Sequence, residues 1–201
     1  MRTQQVLAGL AHRLNRDAGA PAIPALYFFT DPARTPDPCA IVKRLPRGAG
    51  VVYRHFGASG RAKTARKLAR ICRARGLFLL IAADPALALR VGADGVHWPE
   101  QRLAAWPARE NLPRIGLTLA SAHCAAALAR ATAMGVDACV LGPVFASRSP
   151  SAGAPLGAFR ASQIARGARL PVIALGGVNA ATARRLIGRG FAGVAAVEAL
   201  S

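Results

Sequence analysis

The segment 171–201 constrains the fold more than any other part of the chain, because it contains a complete strand, turn, helix and strand. It reads, in order, as an apolar run (171–175), a glycine pair (Gly176 and Gly177), a capped helix (179–190) and a second apolar run (193–199). Two parallel strands joined by a crossover helix bring the glycine turn and the end of the last strand to the same face of a sheet. Backbone N–H groups in such a turn bind anions. The segment therefore predicts the end of a phosphate-binding βα barrel.

The rest of the chain repeats this alternation of strand and helix. Residues 2–17 carry apolar residues at helical spacing and predict a leader helix that packs on the barrel. Further helices are predicted over 60–75 and 121–134. Strands are predicted over 26–31, 50–56, 77–84, 92–98, 114–120, 137–145, 171–175 and 193–199. This pattern indicates an α/β fold, a (β/α)8 TIM barrel in a single domain that spans 1–201, with the leader at 1–20, the barrel at 26–200 and a missing or truncated final helix.

Composition excludes several classes of protein. No apolar run reaches 18 residues, and charges interrupt the amino terminus, so we expect neither a membrane span nor a signal peptide and place the protein in the cytoplasm. The four cysteines lack metal-ligand or disulfide spacing. The net charge of +18 favours anionic partners, but aromatic residues make up only 5% and the arginines are spread along the helices. We therefore expect that the positive charge serves to bind small phosphorylated ligands, or only to keep the protein soluble, and not to bind nucleic acid.

In a TIM barrel, catalytic and binding residues lie at the carboxyl ends of the strands. The residues to consider there are Asp31, Arg54, His55, Asp84, His97, Glu100, Thr118, Ser147, Ser149, Gly176, Gly177 and Glu198. Several have a structural alternative. Asp84 precedes Pro85 and fits a helix N-cap as well as a metal ligand. His97 also fits a packed core histidine, the glycine pair fits a tight turn, and His123 fits the first turn of a helix capped by Ser121.

Four stretches carry a resemblance to a known family. They are LYFFTD (26–31), LLIAADPALALRVGADGVHWPEQ (79–101), GPVFASRSPS (142–151) and PVIALGGV (171–178). In this order and spacing, the chain resembles the thiamine phosphate synthase and thiazole tautomerase family over residues 26–200.

The resemblance implies an activity and a set of site residues. Synthases of this family join a hydroxymethylpyrimidine diphosphate to a thiazole phosphate with Mg²⁺ as electrophilic partner, and they release thiamine phosphate and pyrophosphate. The matching positions are Arg54, Thr118, Ser147 and Ser149 for catalysis, Gly176, Gly177, Val197 and Glu198 for the phosphate, Asp84 and Glu100 for the metal, and His55, His97, Arg102 and Arg148 as further pocket candidates. The expected partner is a phosphorylated small molecule, and a homo-oligomer stays open.

The chain departs from the family pattern where the second, third and fourth strands end. The family's Gln-x-Arg-x-Lys is Val52, Arg54 and Phe56 here, so that only the arginine is retained. The family's Asn-Asp pair is replaced by alanine followed by Asp84. Arg102 stands where the family has another metal carboxylate, which weakens the expectation of Mg²⁺.

The later loops depart as well. The family's Thr-x-Thr-Lys run corresponds to residues 147–150, which keep two hydroxyls and offer Arg148 in place of the lysine. The Ile-Ser pair after the eighth strand corresponds to Val197 and Glu198, and a carboxylate there repels phosphate unless it pairs with an arginine. Thr118 takes the position of the serine that tautomerases follow with a histidine, and Ala120 stands where that histidine belongs.

Three hypotheses remain open. The first is a thiamine phosphate synthase-like transferase of thiamine biosynthesis with a degenerate site. The second is a family member without synthase activity that binds or isomerises a related phosphorylated heterocycle. The third is a noncatalytic basic protein that binds polyanions.

Overall fold

The computed structural model describes residues 2–105, 116–149 and 153–201, and in these ranges eight parallel strands close into a barrel. The strands are β1 (Leu26–Phe29), β2 (Gly50–Tyr53), β3 (Phe78–Ala82), β4 (Gly95–Trp98), β5 (Leu117–Ala122), β6 (Ala138–Leu141), β7 (Val172–Ala174) and β8 (Gly193–Ala196). The helices are α1 (Arg2–Asp17), α2 (Pro38–Val42), α3 (Arg61–Arg75), α4 (Pro85–Val91), α5 (Ala125–Ala133), α6 (Gly157–Arg166) and α7 (Ala180–Arg184). None of these helices is long and apolar enough to cross a bilayer. The predicted (β/α)8 TIM barrel is confirmed.

Successive strand residues point to opposite sides, which divides the apolar core into two parts. One part fills the barrel and includes Tyr27, Phe29, Val52, Leu80, Leu119 and Ile173. The other lies between the strands and the helices and includes Phe28, Val51, Leu79, Ala120 and Ala122. Because both faces are buried, the strands read in the sequence as continuous apolar runs without alternation. The sequence therefore locates the strands better than it shows which residues point inward.

Helix α1 packs against β1, β8 and α7 and covers the seam between the first and last strands. Two side-chain hydrogen bonds attach it. The Gln4 Nε2 donates to the Leu200 carbonyl at 2.9 Å, and the buried Asn15 Nδ2 donates to the Ala192 carbonyl at 3.1 Å. After β8 the structure describes one 3-10 helix, Glu198–Leu200. The two bonds thus anchor the leader helix to the residues just before and just after β8.

Several predicted strand ends are wrong at the functional end of the barrel, where β2, β6 and β8 stop three or four residues earlier than predicted and β5 stops two residues later. The sequence predicts that β5 ends at residue 120, whereas the strand continues to Ala122. The next helix therefore begins at Ala125 instead of residue 121. The sequence also predicts that β8 reaches residue 199, but it ends at Ala196. Positions 114 and 115 of the predicted fifth strand lie outside the described residues.

Candidate active site at the mouth of the barrel

A cavity of about 630 Å³ opens at the carboxyl ends of the strands. This volume lies in the range of small-molecule sites, about 300–1,000 Å³. The predicted residues that line it are Arg54, His97, Glu100, Ser147, Arg148, Ser149, Gly176, Gly177, Val197 and Glu198. Five predicted residues are not part of its lining, namely Asp31, His55, Asp84, Arg102 and Thr118. The structure thus brings most of the predicted site together.

Arg54 reaches the cavity because it continues the inward side of β2. Its Nε donates to the Thr30 carbonyl at 2.8 Å, and its backbone N–H donates to the Thr30 hydroxyl at 2.9 Å. The guanidinium lies 5.3 Å from the centre of the Phe29 ring, and its Nη2 is 3.8 Å from Asp31 Oδ2. Burial lowers the pKa of Arg54, and the nearby carboxylate opposes this shift. The result is a fixed cation at the cavity wall.

His97 and Ser121 form a hydrogen-bonded pair in the cavity lining. The His97 Nε2 lies 2.8 Å from the Ser121 Oγ, and the imidazole meets the Phe29 ring edge to face, with centroids 5.1 Å apart. Burial lowers the pKa of His97 to about 3, so the ring is neutral near pH 7. The buried Nδ1 has no hydrogen-bond partner among the described residues, which favours the tautomer that carries its proton on Nε2 and donates to Ser121. His97 is both a core histidine and a cavity residue.

Thr118 and His55 point to the helical layer instead of the cavity, so the prediction that both belong to the pocket is wrong. The Thr118 hydroxyl donates to Asp137 Oδ2 at 2.6 Å, and this carboxylate also accepts the Thr118 N–H at 2.7 Å. The pair joins the amino ends of β5 and β6, opposite the cavity. His55 packs on Tyr53, with ring centroids 5.0 Å apart. Because its neighbour Arg54 points inward, His55 points outward.

The longer β5 brings a second histidine to the cavity. The His123 Nδ1 lies 2.6 Å from Glu100 Oε2, and the same oxygen accepts the His123 N–H at 2.8 Å. His123 lies in the loop before α5 and not in the first helical turn. The resemblance places a serine, and a histidine two residues after it, at the positions of Thr118 and Ala120. The same spacing of serine and histidine is present three residues later, at Ser121 and His123. A histidine oriented by a carboxylate is suited to proton transfer.

The carboxylates do not form the magnesium site that the resemblance implies. Asp84 is the N-cap of α4, where Oδ1 accepts a backbone N–H at 2.9 Å, and its Oδ2 pairs with Arg61 Nη1 at 2.8 Å. The two oxygens of Glu100 are engaged by His123 and Arg130. In ranges 2–105, 116–149 and 153–201, no group of three or more His, Cys, Asp or Glu side chains is arranged to hold a metal. The described donor set therefore does not fit Mg²⁺.

A cluster of charges crosses the mouth of the cavity, and its central cation, Arg34, was not found from the sequence. The Arg34 Nη2 lies 2.8 Å from Asp31 Oδ2 and 3.3 Å from the Ser149 Oγ. Its Nη1 lies 3.5 Å from Glu198 Oε1, and Arg148 Nη2 lies 2.5 Å from Glu198 Oε2. Hydrogen bonds from these arginines lower the pKa of Glu198. Glu198 thus pairs with arginines, and this pairing offsets the repulsion that its carboxylate would otherwise exert on a phosphate group.

The glycine turn lies against the loop that follows β6. A Cβ atom on Gly176 would lie 2.6 Å from Pro143, and one on Gly177 would lie 2.3 Å from the Ala146 carbonyl oxygen. Both glycines also have positive φ, 94° and 62°. In the described part of the chain, none of the N–H groups of residues 176–178 donates to a backbone carbonyl. The turn therefore needs glycine for packing, and it also presents donors at the cavity.

Phe56 lies at the rim of the cavity between two cations. The guanidinium carbons of Arg61 and Arg102 lie 5.6 Å and 5.3 Å from the centre of its ring. These distances are within the range of cation–π contacts. Arg102, which replaces a family acid, thus contacts the residue that replaces a family lysine.

Comparisons with known proteins point to one family. Residues 26–200 match the family model described as thiamine monophosphate synthase. The thiamine-phosphate synthase of Alcanivorax borkumensis is 34% identical over 182 residues, which cover 87% of this chain and 84% of that protein. The thiamine-phosphate synthase of Chlorobium luteolum is 32% identical over 187 residues and covers 90% and 87% of the two chains.

Among solved structures, the barrel is similar to the thiamine phosphate pyrophosphorylase from Pyrococcus furiosus. The TM-score is 0.70 at 22% identity, and the match covers 94% of this chain and 87% of that chain. This likeness supports the fold.

Proposed function

Because the chain belongs to the thiamine monophosphate synthase family, we propose that it joins a hydroxymethylpyrimidine diphosphate to a thiazole phosphate, which gives thiamine phosphate and pyrophosphate. It is a transferase-type reaction between two anionic substrates. Its requirements are a cationic environment for the diphosphate, donors for the second phosphate, and a cavity that holds both rings. The cavity at the barrel mouth meets these requirements through its arginines, its glycine turn and its volume.

The observation that carries the proposal is the convergence of three guanidinium groups on one cavity. Arg34, Arg54 and Arg148 come from loops after three different strands and all line it. They face two carboxylates, Asp31 and Glu198, which leaves this cluster with one net positive charge. The third carboxylate at the cavity, Glu100, is paired with His123 and Arg130. Guanidinium forks bind phosphate oxygens through paired hydrogen bonds. An arginine-lined cavity of this size favours a phosphorylated small molecule.

In the proposed reaction, the bond between the methylene carbon of the pyrimidine and the diphosphate oxygen breaks, and the ring nitrogen of the thiazole phosphate forms the new bond to that carbon. The electron pair leaves with the diphosphate, so negative charge develops on the departing oxygen. Cations that are already in place stabilise such charge without reorganisation during the reaction. Arg54 is suited to this role because two bonds to Thr30 and the Phe29 ring hold its guanidinium in place.

The thiazole phosphate is assigned to the glycine turn. Gly176 and Gly177 line the cavity, and the N–H groups of residues 176–178 face no backbone acceptor in the described ranges. Backbone N–H groups of this kind bind phosphate without a side chain. The hydroxyls of Ser147 and Ser149, which also line the cavity, are further donors for either phosphate.

Magnesium dependence is a separate part of the proposal. When bound, Mg²⁺ would neutralise charge on the diphosphate, which is the role of metal ions in such reactions. The described carboxylates are already engaged by arginines, histidine and a helix end. We therefore assign the charge neutralisation at this site to the arginines.

A synthase assay tests the proposal directly. The purified protein is given both substrates, with Mg²⁺ in one series and with EDTA in another, and thiamine phosphate is measured by chromatography. We expect product, and we expect Arg54→Met to lower the rate by about 100-fold, the size of effect typical for a lost electrostatic group. The control is Arg66→Met, which removes an exposed arginine on α3 and should leave the rate unchanged.

The outcomes separate the hypotheses. A folded protein that gives no product at high concentration rejects the synthase. Rearrangement of the thiazole phosphate in the same samples would instead identify an isomerase. Binding to polyanions with a steep dependence on salt, and no saturable site for either substrate, would identify a polyanion-binding protein.

A further inference from the structure

One carboxylate connects three loops at the mouth of the cavity. Glu198 follows β8, Arg34 follows β1, and Arg148 follows β6. The Glu198 carboxylate places one oxygen 3.5 Å from Arg34 Nη1 and the other 2.5 Å from Arg148 Nη2. All three side chains line the cavity. The loops after the first, sixth and eighth strands are therefore joined through a single negative charge.

The two arginines differ in how firmly they are held. The Arg34 side chain is 20% exposed, and it also pairs with Asp31 Oδ2 at 2.8 Å. Asp31 is fixed in turn because its Oδ1 accepts the backbone N–H groups of Ala33 and Arg34 at 3.1 Å. The Arg148 side chain is 87% exposed, and Glu198 is its one ion-pair partner among the described residues. Arg34 is thus a fixed element of the cluster and Arg148 is an adjustable one.

We propose that Glu198 is a tethered counter-ion that occupies, between Arg34 and Arg148, the position of a substrate phosphate group, and that a phosphorylated ligand displaces it on binding. The inference rests on the proposed function only for the class of ligand. It makes Glu198 a residue that sets the affinity and selectivity of the cavity for anions. It also explains how a carboxylate persists in the wall of a phosphate-binding cavity.

The displacement follows from charge and geometry. A carboxylate offers one negative charge and two oxygens, whereas a phosphate or diphosphate group carries more charge and three or more acceptor oxygens. Such a group binds guanidinium forks in bidentate fashion. Arg34 is already oriented by Asp31, so only Glu198 and the exposed Arg148 must move. Because the closed contact must open before the ligand binds, the apparent affinity is lowered by the fraction of open protein.

The selectivity follows from the same competition. Singly charged ligands gain little by replacing Glu198, since they exchange one negative charge for another. Ligands with two or more negative charges gain from both arginines. The cluster therefore favours diphosphates and phosphomonoesters over carboxylates of similar size.

Calorimetric titration with inorganic pyrophosphate tests the inference, since no turnover is needed. Glu198→Gln keeps the shape of the side chain and removes its charge, so we expect the dissociation constant to fall by about 10-fold relative to the wild type, the effect of removing a ~90% closed competitor. The control is Asp17→Asn, which removes an exposed carboxylate on α1, paired with Arg13 at 3.7 Å. It changes the net charge by the same amount and should leave the affinity within twofold.

A second pair of variants identifies the partner. Arg148→Ala should weaken pyrophosphate binding, and the double variant Glu198→Gln/Arg148→Ala should lose most of the gain that Glu198→Gln gives alone. If Glu198→Gln binds pyrophosphate no more tightly than Asp17→Asn, the inference is wrong. It is also wrong if the gain is the same with and without Arg148, or if no variant binds pyrophosphate.

These outcomes are independent of the synthase assay. A protein that forms no thiamine phosphate but binds pyrophosphate more tightly after Glu198→Gln would reject the proposed function and support the counter-ion. If the protein forms thiamine phosphate, and Glu198→Gln changes neither the rate nor the pyrophosphate affinity, the proposed function is supported and the counter-ion is rejected.

Discussion

Acidification should destabilise this protein through His97, a cavity residue whose neutral form the fold selects. The imidazole lies inside the barrel against Phe29 and bonds to Ser121. Burial lowers the pKa of His97 to about 3, whereas an unfolded chain has a histidine pKa of about 6.5. The unfolded state therefore binds more protons below pH 6.5. The contribution of His97 to stability is complete above that pH and is lost as the pH falls from 6.5 toward 3.

The magnitude at pH 5 depends mainly on the unfolded pKa. Over the roughly 1.5 pH units between 6.5 and 5, the unfolded state holds close to one proton that the folded state does not bind. At about 1.4 kcal/mol per unit, the free energy of unfolding falls by about 2 kcal/mol between pH 7.5 and pH 5. His55, whose pKa burial also lowers, adds a loss of the same sign. The contribution of His97 must therefore be isolated by substitution.

Urea unfolding followed by circular dichroism at pH 7.5 and pH 5 measures this loss. We expect His97→Asn to be less stable than the wild type at pH 7.5, but to lose about 2 kcal/mol less than the wild type on acidification. The matched control is His12→Asn, which replaces an exposed histidine on α1 and should show the same acid loss as the wild type. Equal acid losses in the His97→Asn variant and the wild type would refute the reasoning.

Three further substitutions test single contacts. Thr118→Val should lower the free energy of unfolding by about 1–3 kcal/mol, since Asp137 loses a hydroxyl donor. Pyrophosphate affinity measured by calorimetry should not change, and a loss of affinity would show that Thr118 belongs to the site. Gly177→Ala should lower both the melting temperature and the phosphate affinity, because the new Cβ would lie 2.3 Å from the Ala146 carbonyl oxygen. If calorimetry finds the affinity unchanged, the glycine turn does not bind the phosphate. Asp84→Ala should lower the free energy of unfolding in urea by about 1–2 kcal/mol, because α4 loses its helix cap. Any stabilisation of the protein by Mg²⁺ should remain, and its disappearance would show that Asp84 is a metal ligand.

The fold was predictable because barrel strands leave a strong local signal. Each strand is a short apolar run bounded by glycine, proline or an acid, and the crossover helices fall between them. The direction of the side chains left no such signal. Thr118 and Ser121 are three residues apart in one strand, so they point to opposite faces. With both faces buried, the sequence shows no alternation that tells the inward face from the outward one.

The residues of the site divide in the same way. The glycine turn and Arg54 were recognised because the turn chemistry and a lone cation at a strand end are local features. Arg34 was missed because only its contact with Asp31 is local, whereas its other acidic partner, Glu198, is 164 positions away in the chain. Asp84 shows the opposite case, since the structural alternative, a helix cap before proline, is what the structure uses. Contacts between loops of different strands are set by the closure of the barrel, and no local pattern encodes them.

The departures from the family pattern are connected at the rim of the cavity. A lysine is replaced by Phe56, and a metal carboxylate by Arg102, and considered one at a time each change removes a charged group that the family uses. In the structure the Arg102 guanidinium lies 5.3 Å from the centre of the Phe56 ring, so the residues at the two changed positions contact each other. Arg61, the other cation at this ring, pairs with Asp84. Because we assign charge neutralisation to the arginines, the dependence on Mg²⁺ and the affinity for pyrophosphate must be measured separately.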